Sequence, residues 1–241
     1  MQFKTKAKTL SSIENKIKTA VIPKYYYFKV KNYLANKKKF LSYIQKKFKK
    51  KVAIRSSTIV EDSKTQSMAG YFLSELNVSP NNMKNLQNKI DKVIKSYSNY
   101  NNPNNEILVQ EMITDVFISG VATTADKETL LPYYCIDYSG SQDTSKVTAG
   151  TENTNSFVYF APSKNKKIKK HFIKIIKMLE ELKKICKNNY LDIEFILGKN
   201  NKIFLLQVRP LVTKKKVNYS EKEILLYLYR LYLKIEKLQL R

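Results

Sequence analysis

Cysteine and histidine are nearly missing from this chain. Cys135, Cys186 and His171 are the whole supply in 241 residues. Two cysteines cannot build a disulfide framework, and with a single histidine they cannot make an ordinary Cys/His zinc site. Such thiols fit a reducing cytosol. Five glycines and six prolines exclude a collagenous or proline-rich chain. No window reaches the ~18 uncharged apolar residues of a membrane span. The longest apolar stretch, Ile224 to Leu240, is broken by Arg230, Lys234, Glu236 and Lys237. Met1 to Lys6 holds no apolar segment that could serve as a signal peptide. The expectation is a soluble, cytoplasmic protein without a membrane partner.

Acidic residues are also scarce. Asp and Glu number 20 against 45 Lys and Arg, a formal charge of +25. Lysines cluster at 37–39, 46–47, 49–51, 166–167, 169–170 and 214–216. One reading is compositional drift, because Lys, Asn, Ile and Tyr are all abundant together. Another is an anionic ligand, such as a nucleotide or an acidic partner protein. Arginine, the usual bidentate reader of phosphate and guanine, is scarce, which argues against nucleic acid. Hydrophobic residues at 43% and charged residues at 27% are globular proportions. The length allows one large domain or two small ones.

Leu10, Ile13 and Ile17 lie at helical spacing within Lys6–Lys18. After Pro23 and the aromatic run Tyr25–Phe28, Asn32–Lys49 reads as one basic amphipathic helix. Val52–Ile54 reads as a buried strand, Phe72–Val78 as an alternating one. Ser79-Pro80 reads as the start of a helix running to about Tyr97. Asn99–Asn105 breaks the pattern and marks the expected domain boundary. Strands follow at Glu106–Met112, Phe117–Thr124, Leu131–Tyr138 and Phe157–Phe160. A helix covers Lys166–Asn188, strands cover Leu191–Leu197 and Lys202–Val208, and a last helix covers about Ser220–Leu238. The class is α+β, with a first lobe at 1–104, a second at 105–213 and a basic amphipathic C-terminal helix at 214–241.

The C-terminal hairpin is the most informative segment. With Gly198–Asn201 as its loop, Asp192 opposes Gln207 and Glu194 lies diagonal to it. Alternation puts Asp192, Glu194, Gln207 and Arg209 on one face, and Ile193, Phe195, Leu206 and Val208 on the other. Two carboxylates, an amide and a guanidinium on greasy strands need a reason. A divalent metal on a polyphosphate clasped by Arg209 supplies one; an exposed face with an ordinary ion pair is the other. Arg55-Ser56-Ser57, at the end of Val52–Ile54 with Ala69-Gly70 downstream, suits phosphate binding or a plain polar loop.

Val52–Ser57, Glu61-Asp62 and Ser67–Gly70 together resemble the nucleotide-binding domain of phosphoenolpyruvate synthase and pyruvate phosphate dikinase. That family reads V-x-V-R-S-S-A, E-D and S-F-A-G at the corresponding points. The resemblance continues through Leu108–Met112, Ser119–Thr124, Leu191–Phe195 and Leu206–Leu211, and Lys6–Leu10 is similar to the family's G-K-x-x-N-L without its glycines. It implies an ATP-grasp fold, two lobes closing on ATP and Mg²⁺. Carried over, Lys6, Arg55 and Arg209 contact phosphates. Glu194 and Gln207 hold Mg²⁺, and Asp192 stands beside the phosphoryl group, so that Arg55, Asp192 and Arg209 form the catalytic set. Gln110, Glu111, Met112 and Ile113 supply the adenine hinge, and Ser67, Met68, Ala69 and Gly70 the lid.

Ser67–Ser74, Ile136–Tyr138 and Val147–Gly150 look more like the glutamine-kinase-type branch of bacterial capsule modification. Two departures stand out: Thr123 where the family has Phe, and Asp126-Lys127 where it has Asp-Pro. No Thr-x-His swivelling domain follows the hairpin. The resemblance therefore implies a phosphotransferase working with a separately encoded phosphohistidine or acceptor domain. His171, in a Lys-rich amphipathic helix, reads as a helix-surface or edge-of-core residue, and both cysteines as buried thiols. A non-catalytic nucleotide-binding module, a truncated remnant of a larger kinase and a basic nucleic-acid-binding protein are the competing readings. The apolar C-terminal helix has two readings, docking on its own lobe or forming a homodimer or partner contact.

Overall fold

The computed structural model describes residues 1–58, 72–97, 102–140, 155–163, 168–212, 223, 225, 226 and 228–230. Two antiparallel sheets organise them. The first is assembled from β1 (Tyr25–Lys29), β2 (Val52–Ser57), β3 (Ser74–Val78) and β4 (Glu106–Glu111), in the order β1-β4-β2-β3. The second contains β5 (Val116–Thr123), β6 (Tyr133–Ser139), β7 (Asn155–Phe160), β8 (Leu191–Gly198) and β9 (Ile203–Pro210), in the order β7-β6-β5-β8-β9. The helices are α1 (Lys6–Ile13), α2 (Val30–Ala35), α3 (Lys37–Lys47), α4 (Met83–Lys95) and α5 (Lys170–Cys186).

β4 belongs to the first sheet, with β1 on one side and β2 on the other. The division between sheets therefore falls after Glu111, and the boundary expected at 104/105 cuts off a central strand. Strand membership is set by pairing across the sequence, and the Asn-rich breaker before Glu106 carries no information about that.

The helix expected over Asn32–Lys49 is two helices. Asn36 ends α2 and caps α3, its side chain accepting from Lys39 N at 3.1 Å. α4 starts late for a similar reason: the cap is Asn82, which accepts from Asn85 N at 2.9 Å, and not Ser79. Its buried residues, Leu86, Ile90 and Val93, follow helical spacing. The aromatic run becomes β1. Of the helix expected at Ser220–Leu238, the six described residues are helical, and Leu226 and Tyr229 are exposed; the rest lies outside the described residues.

Each sheet packs a separate core. Phe28, Val52, Ile54, Ile107 and Val109 on one face of the first sheet meet Tyr33, Leu41, Ile44, Leu86 and Ile90. On the second sheet, Ile118, Ala122, Ile136, Ile193, Phe195, Leu205 and Val208 meet α1 through Leu10 and Ile13, and α5 through Phe172, Ile175 and Leu179. Leu108, on the opposite face of β4 from Val109, also enters this second core, so α1 is wedged between the two sheets. Among the described residues no helix is long and apolar enough to cross a membrane.

Gly120 of β5 sits where β5 and β6 approach closely. A Cβ there would lie 2.4 Å from the Asp137 carbonyl oxygen, which is backbone and cannot swing away. Gly120→Ala is expected to destabilise the fold by about 1–3 kcal/mol, read as a lowered urea midpoint with an unchanged slope. A neutral substitution would refute the close approach.

Candidate nucleotide and phosphate site

The second sheet is two-faced. Ile118, Ala122, Ile136 and Ile193 point into the core, so by alternation the opposite face carries Thr123, Asp137, Asp192 and Glu194. The hairpin brings β9 beside it, with Glu194 opposite Gln207 and Asp192 opposite Arg209. This register differs from the expected one, which put Asp192 opposite Gln207. Gly198 is still in the strand, its N–H donating to Lys202 O at 2.9 Å, and a bulge intervenes because Phe195 pairs with Leu205 while Glu194 pairs with Gln207. The extra residue is Leu206, so Leu205 takes the core position expected of Leu206. A bulge shifts register and turns side chains without ending the ladder. The four polar residues still share one face.

Arg55 crosses from the first sheet to this face. Its guanidinium pairs with the Glu194 carboxylate, and the same Nη2 lies 3.4 Å from Gln207 Oε1. Arg209 holds Asp192 through two bonds to one oxygen, at 2.7 and 3.1 Å. Arg55, Asp192 and Gln207 are all buried, and the Glu194 side chain is 21% exposed. Burial pushes the Glu194 pKa up, but the Arg55 charge, then Lys6, the Arg55 hydrogen bond and Arg209 outweigh it and leave it lowered. Lys6, buried in the first turn of α1, thus belongs to the same electrostatic group.

Of the site residues inferred from sequence, the structure gathers Lys6, Arg55, Glu194, Gln207, Asp192 and Arg209. Ser67, Met68, Ala69 and Gly70 lie outside the described residues, as do Glu61-Asp62 and Val147–Gly150. The segment from Gln110 to Ile113 ends β4. The amides of Glu111 and Met112 already donate to Lys24 O and Lys51 O, at 2.8 and 2.9 Å. A base bound here would therefore meet carbonyls, side chains or the backbone of Ile113. The Gln110 side chain is buried, and its Nε2 has no hydrogen-bond partner among the described residues. Such an atom costs free energy unless something completes it.

Sequence reasoning passed over Thr5, Lys8 and Glu106. Glu106 is 1% exposed, accepts from Thr5 Oγ1 at 2.5 Å and pairs with Lys8 Nζ at 2.7 Å. Its place at the head of a strand after an Asn run gave no warning. His171 rests edge-on against the Phe117 ring, with centroids 5.7 Å apart. Burial and then Lys169 lower its pKa, as befits a helix-surface histidine. Cys186 is buried, with its thiol pushed up to about 11, while Cys135 is only half-buried.

Among the described residues no three His, Cys, Asp or Glu side chains cluster as a metal cage. Glu194 and Gln207 nevertheless present a carboxylate and an amide oxygen side by side. That donor set fits a hard divalent cation that draws its other oxygens from phosphate and water.

Two antiparallel sheets, joined where an arginine of the first reaches onto a charged hairpin of the second, make an α+β domain with its charged groups gathered at the seam. Residues 2–174 match the family described as the pyruvate phosphate dikinase AMP/ATP-binding domain, and the chain belongs to that family. The match covers Lys6 and Arg55 and ends before the hairpin. Among solved structures the chain is similar to the VanG D-Ala:D-Ser ligase from Enterococcus faecalis, with 10% identity, TM-score 0.49, and coverage of 86% of this chain and 52% of that one. It is also similar to an L-amino acid ligase from Bacillus licheniformis, with 14% identity, TM-score 0.49, and coverage of 86% and 42%. The D-alanine-D-alanine ligase from Helicobacter pylori gives 13% identity, TM-score 0.47, and coverage of 86% and 50%. The chain spans about half the length of these structures. No curated protein matches its sequence.

The lowered Glu194 pKa carries a pH signature. A carboxylate whose native pKa is depressed adds stability above its unfolded value, 4.5, and loses it as pH falls through the native value. Without nucleotide or metal, wild type is expected to exceed Glu194→Gln in stability at pH 7, and the gap to narrow below about pH 4.5. Urea unfolding from pH 7 to 3 measures this; a gap independent of pH would show that Arg55 does not hold an ionised Glu194.

Proposed function

We propose that this chain is the ATP- and Mg²⁺-binding part of a phosphotransferase. It would phosphorylate a histidine on a separately encoded domain, for transfer to a small acceptor such as pyruvate or a glutamine-like amide. The observation that carries the reading is the Arg55–Glu194–Gln207 cluster beside Arg209 and Lys6, set in a domain of an ATP-binding family. In the first lobe, Lys6 and Arg55 would meet the phosphates. In the second, Arg209 would join them and Asp192 would stand beside the transferred group. The metal site would be Glu194 and Gln207, and Mg²⁺ held there would supply charge neutralisation for the phosphates.

In this reading the ion pairs described above exchange partners when the nucleotide binds. As phosphates arrive, Arg55 and Arg209 would turn toward them, and Glu194 and Asp192 would be released for the metal and the phosphoryl group. Each charge then keeps an opposite partner, which a buried site requires. This chemistry needs positioning and charge neutralisation more than covalent help. Gln110 to Ile113 would seat the base, with Ser67, Met68, Ala69 and Gly70 over the phosphates. His171 packs edge-on and tilted against the rings of Phe117 and Phe172 on a helix and is not the carrier in this reading.

Calorimetry with ATP and Mg²⁺ is expected to show binding, with a raised melting temperature. No heat and no thermal shift at millimolar nucleotide would overturn the proposal. Arg55→Ala and Glu194→Ala are expected to weaken binding at least tenfold and to abolish phosphoryl transfer to a histidine domain supplied separately. Tight ATP binding with no transfer to any such domain would favour a non-catalytic nucleotide-binding module.

A further inference from the structure

We propose that Glu106 is a positioning residue, which aims Lys6 by holding the first turn of α1 against the first sheet. The inference rests on the reading of Lys6 as a phosphate ligand, and takes the phosphates it meets to be the terminal ones of ATP.

One rung of the sheet does this. Ser57 of β2 and Glu106 of β4 are paired neighbours, and both are buried. Together they hold three groups that flank Lys6. The Glu106 carboxylate accepts from the hydroxyl of Thr5 at 2.5 Å and pairs with the ammonium of Lys8 at 2.7 Å. Ser57 Oγ accepts from the Ala7 N–H at 3.2 Å. Thr5 is also the helix cap, its Oγ1 accepting from Lys8 N at 3.4 Å. A hydroxyl that both caps the helix and donates to Glu106 has no rotational freedom left. Tyr97 braces the rung from the α4 side: its hydroxyl accepts from Ser57 N at 3.2 Å and donates to Glu106 O at 2.5 Å.

A buried carboxylate is a costly way to fasten a helix. Apolar packing of Leu10 and Ile13 already holds α1 in the core, but packing fixes a helix less sharply in rotation and axial position than directed bonds do. The bonds from this rung fall on residues 5, 7 and 8, around Lys6. Arg55 lies two residues before Ser57 on β2, and the two share a face by alternation. The same rung therefore sets the spacing between both cations. Glu194 feels both charges.

The test is calorimetric titration of the full chain, in Mg²⁺, with ATP and separately with AMP, which lacks the terminal phosphates. Lys6→Ala is expected to weaken ATP binding about tenfold and leave AMP unchanged. Glu106→Gln and Ser57→Ala should each give the same ATP-selective loss, severalfold in size. Added to Lys6→Ala, Glu106→Gln should cost nothing more, because the residue it aims is gone. Equal losses for ATP and AMP, no loss of ATP affinity in a cooperatively folded variant, or full additivity with Lys6→Ala would each overturn the inference. If Glu106→Gln fails to fold, Ser57→Ala, which keeps the carboxylate, decides the matter alone. If Lys6→Ala leaves ATP binding unchanged, the phosphate role of Lys6 falls, and this inference with it; an effect of Lys6 without one of Ser57 or Glu106 removes the inference alone.

Discussion

Glu194 stands on the face of its sheet opposite the core, largely out of water, and a carboxylate in that place must have a cation. The cation that reaches it comes from the other sheet. Arg55 closes a pair across 139 positions of sequence, so the two sheets cannot separate without leaving a charge uncompensated. Docking of the two sheets and assembly of the charged cluster are therefore one event. The energy of the contact does not have to be large for this to hold. Breaking such a pair costs more than forming it gains, because the abandoned partner stays desolvated.

The apolar faces make this arrangement affordable. Behind Glu194 and Asp192, the side chains of Ile193 and Phe195 are locked against α1 and α5. Period-two alternation then forces the acidic residues to the opposite side, with no further instruction. The bulge at Leu206 adds a finer adjustment. It allows Leu205 and Val208 both to face the core while Gln207 and Arg209 remain opposite Glu194 and Asp192. A regular ladder through these residues would break one of those two requirements.

Helix α1 connects the two halves of the charge group. Its apolar stripe lies in the core of the second sheet, while its first turn is tied to a rung of the first. It thus brings Lys6 to the seam where Arg55 and Glu194 meet. The formal charge of +25 has little to do with that seam. Most lysines sit on outer faces, as with Lys47 over the rings of Tyr26 and Tyr43, or Lys37 against Asp91. The positive charges at the seam, Lys6 and Arg55, are instead buried.

Much of this was legible in the residues themselves. The α+β class, most of the strands, the sidedness of the hairpin and the membership of Asp192, Glu194, Gln207 and Arg209 in one polar group follow from local pattern, and the resemblance added Arg55 to that group. Local pattern suffices there because alternation and helical period are properties of neighbouring residues. Where a short polar side chain competes for the backbone, pattern failed. Asn36 and Asn82 moved helix ends by capping them, and nothing in the spacing of apolar residues announces which of several asparagines will do so. The hairpin register failed for a related reason, since a bulge is decided by which side chains the opposing core can accept. The place of β4 between β1 and β2, the reach of Arg55 to Glu194 and the clasp of Glu106 on Thr5 and Lys8 depended on tertiary structure alone. They join residues about 50 to 150 positions apart, and their value comes from burial. A sequence shows which groups are present, but water is removed from them only when the sheets and α1 come together.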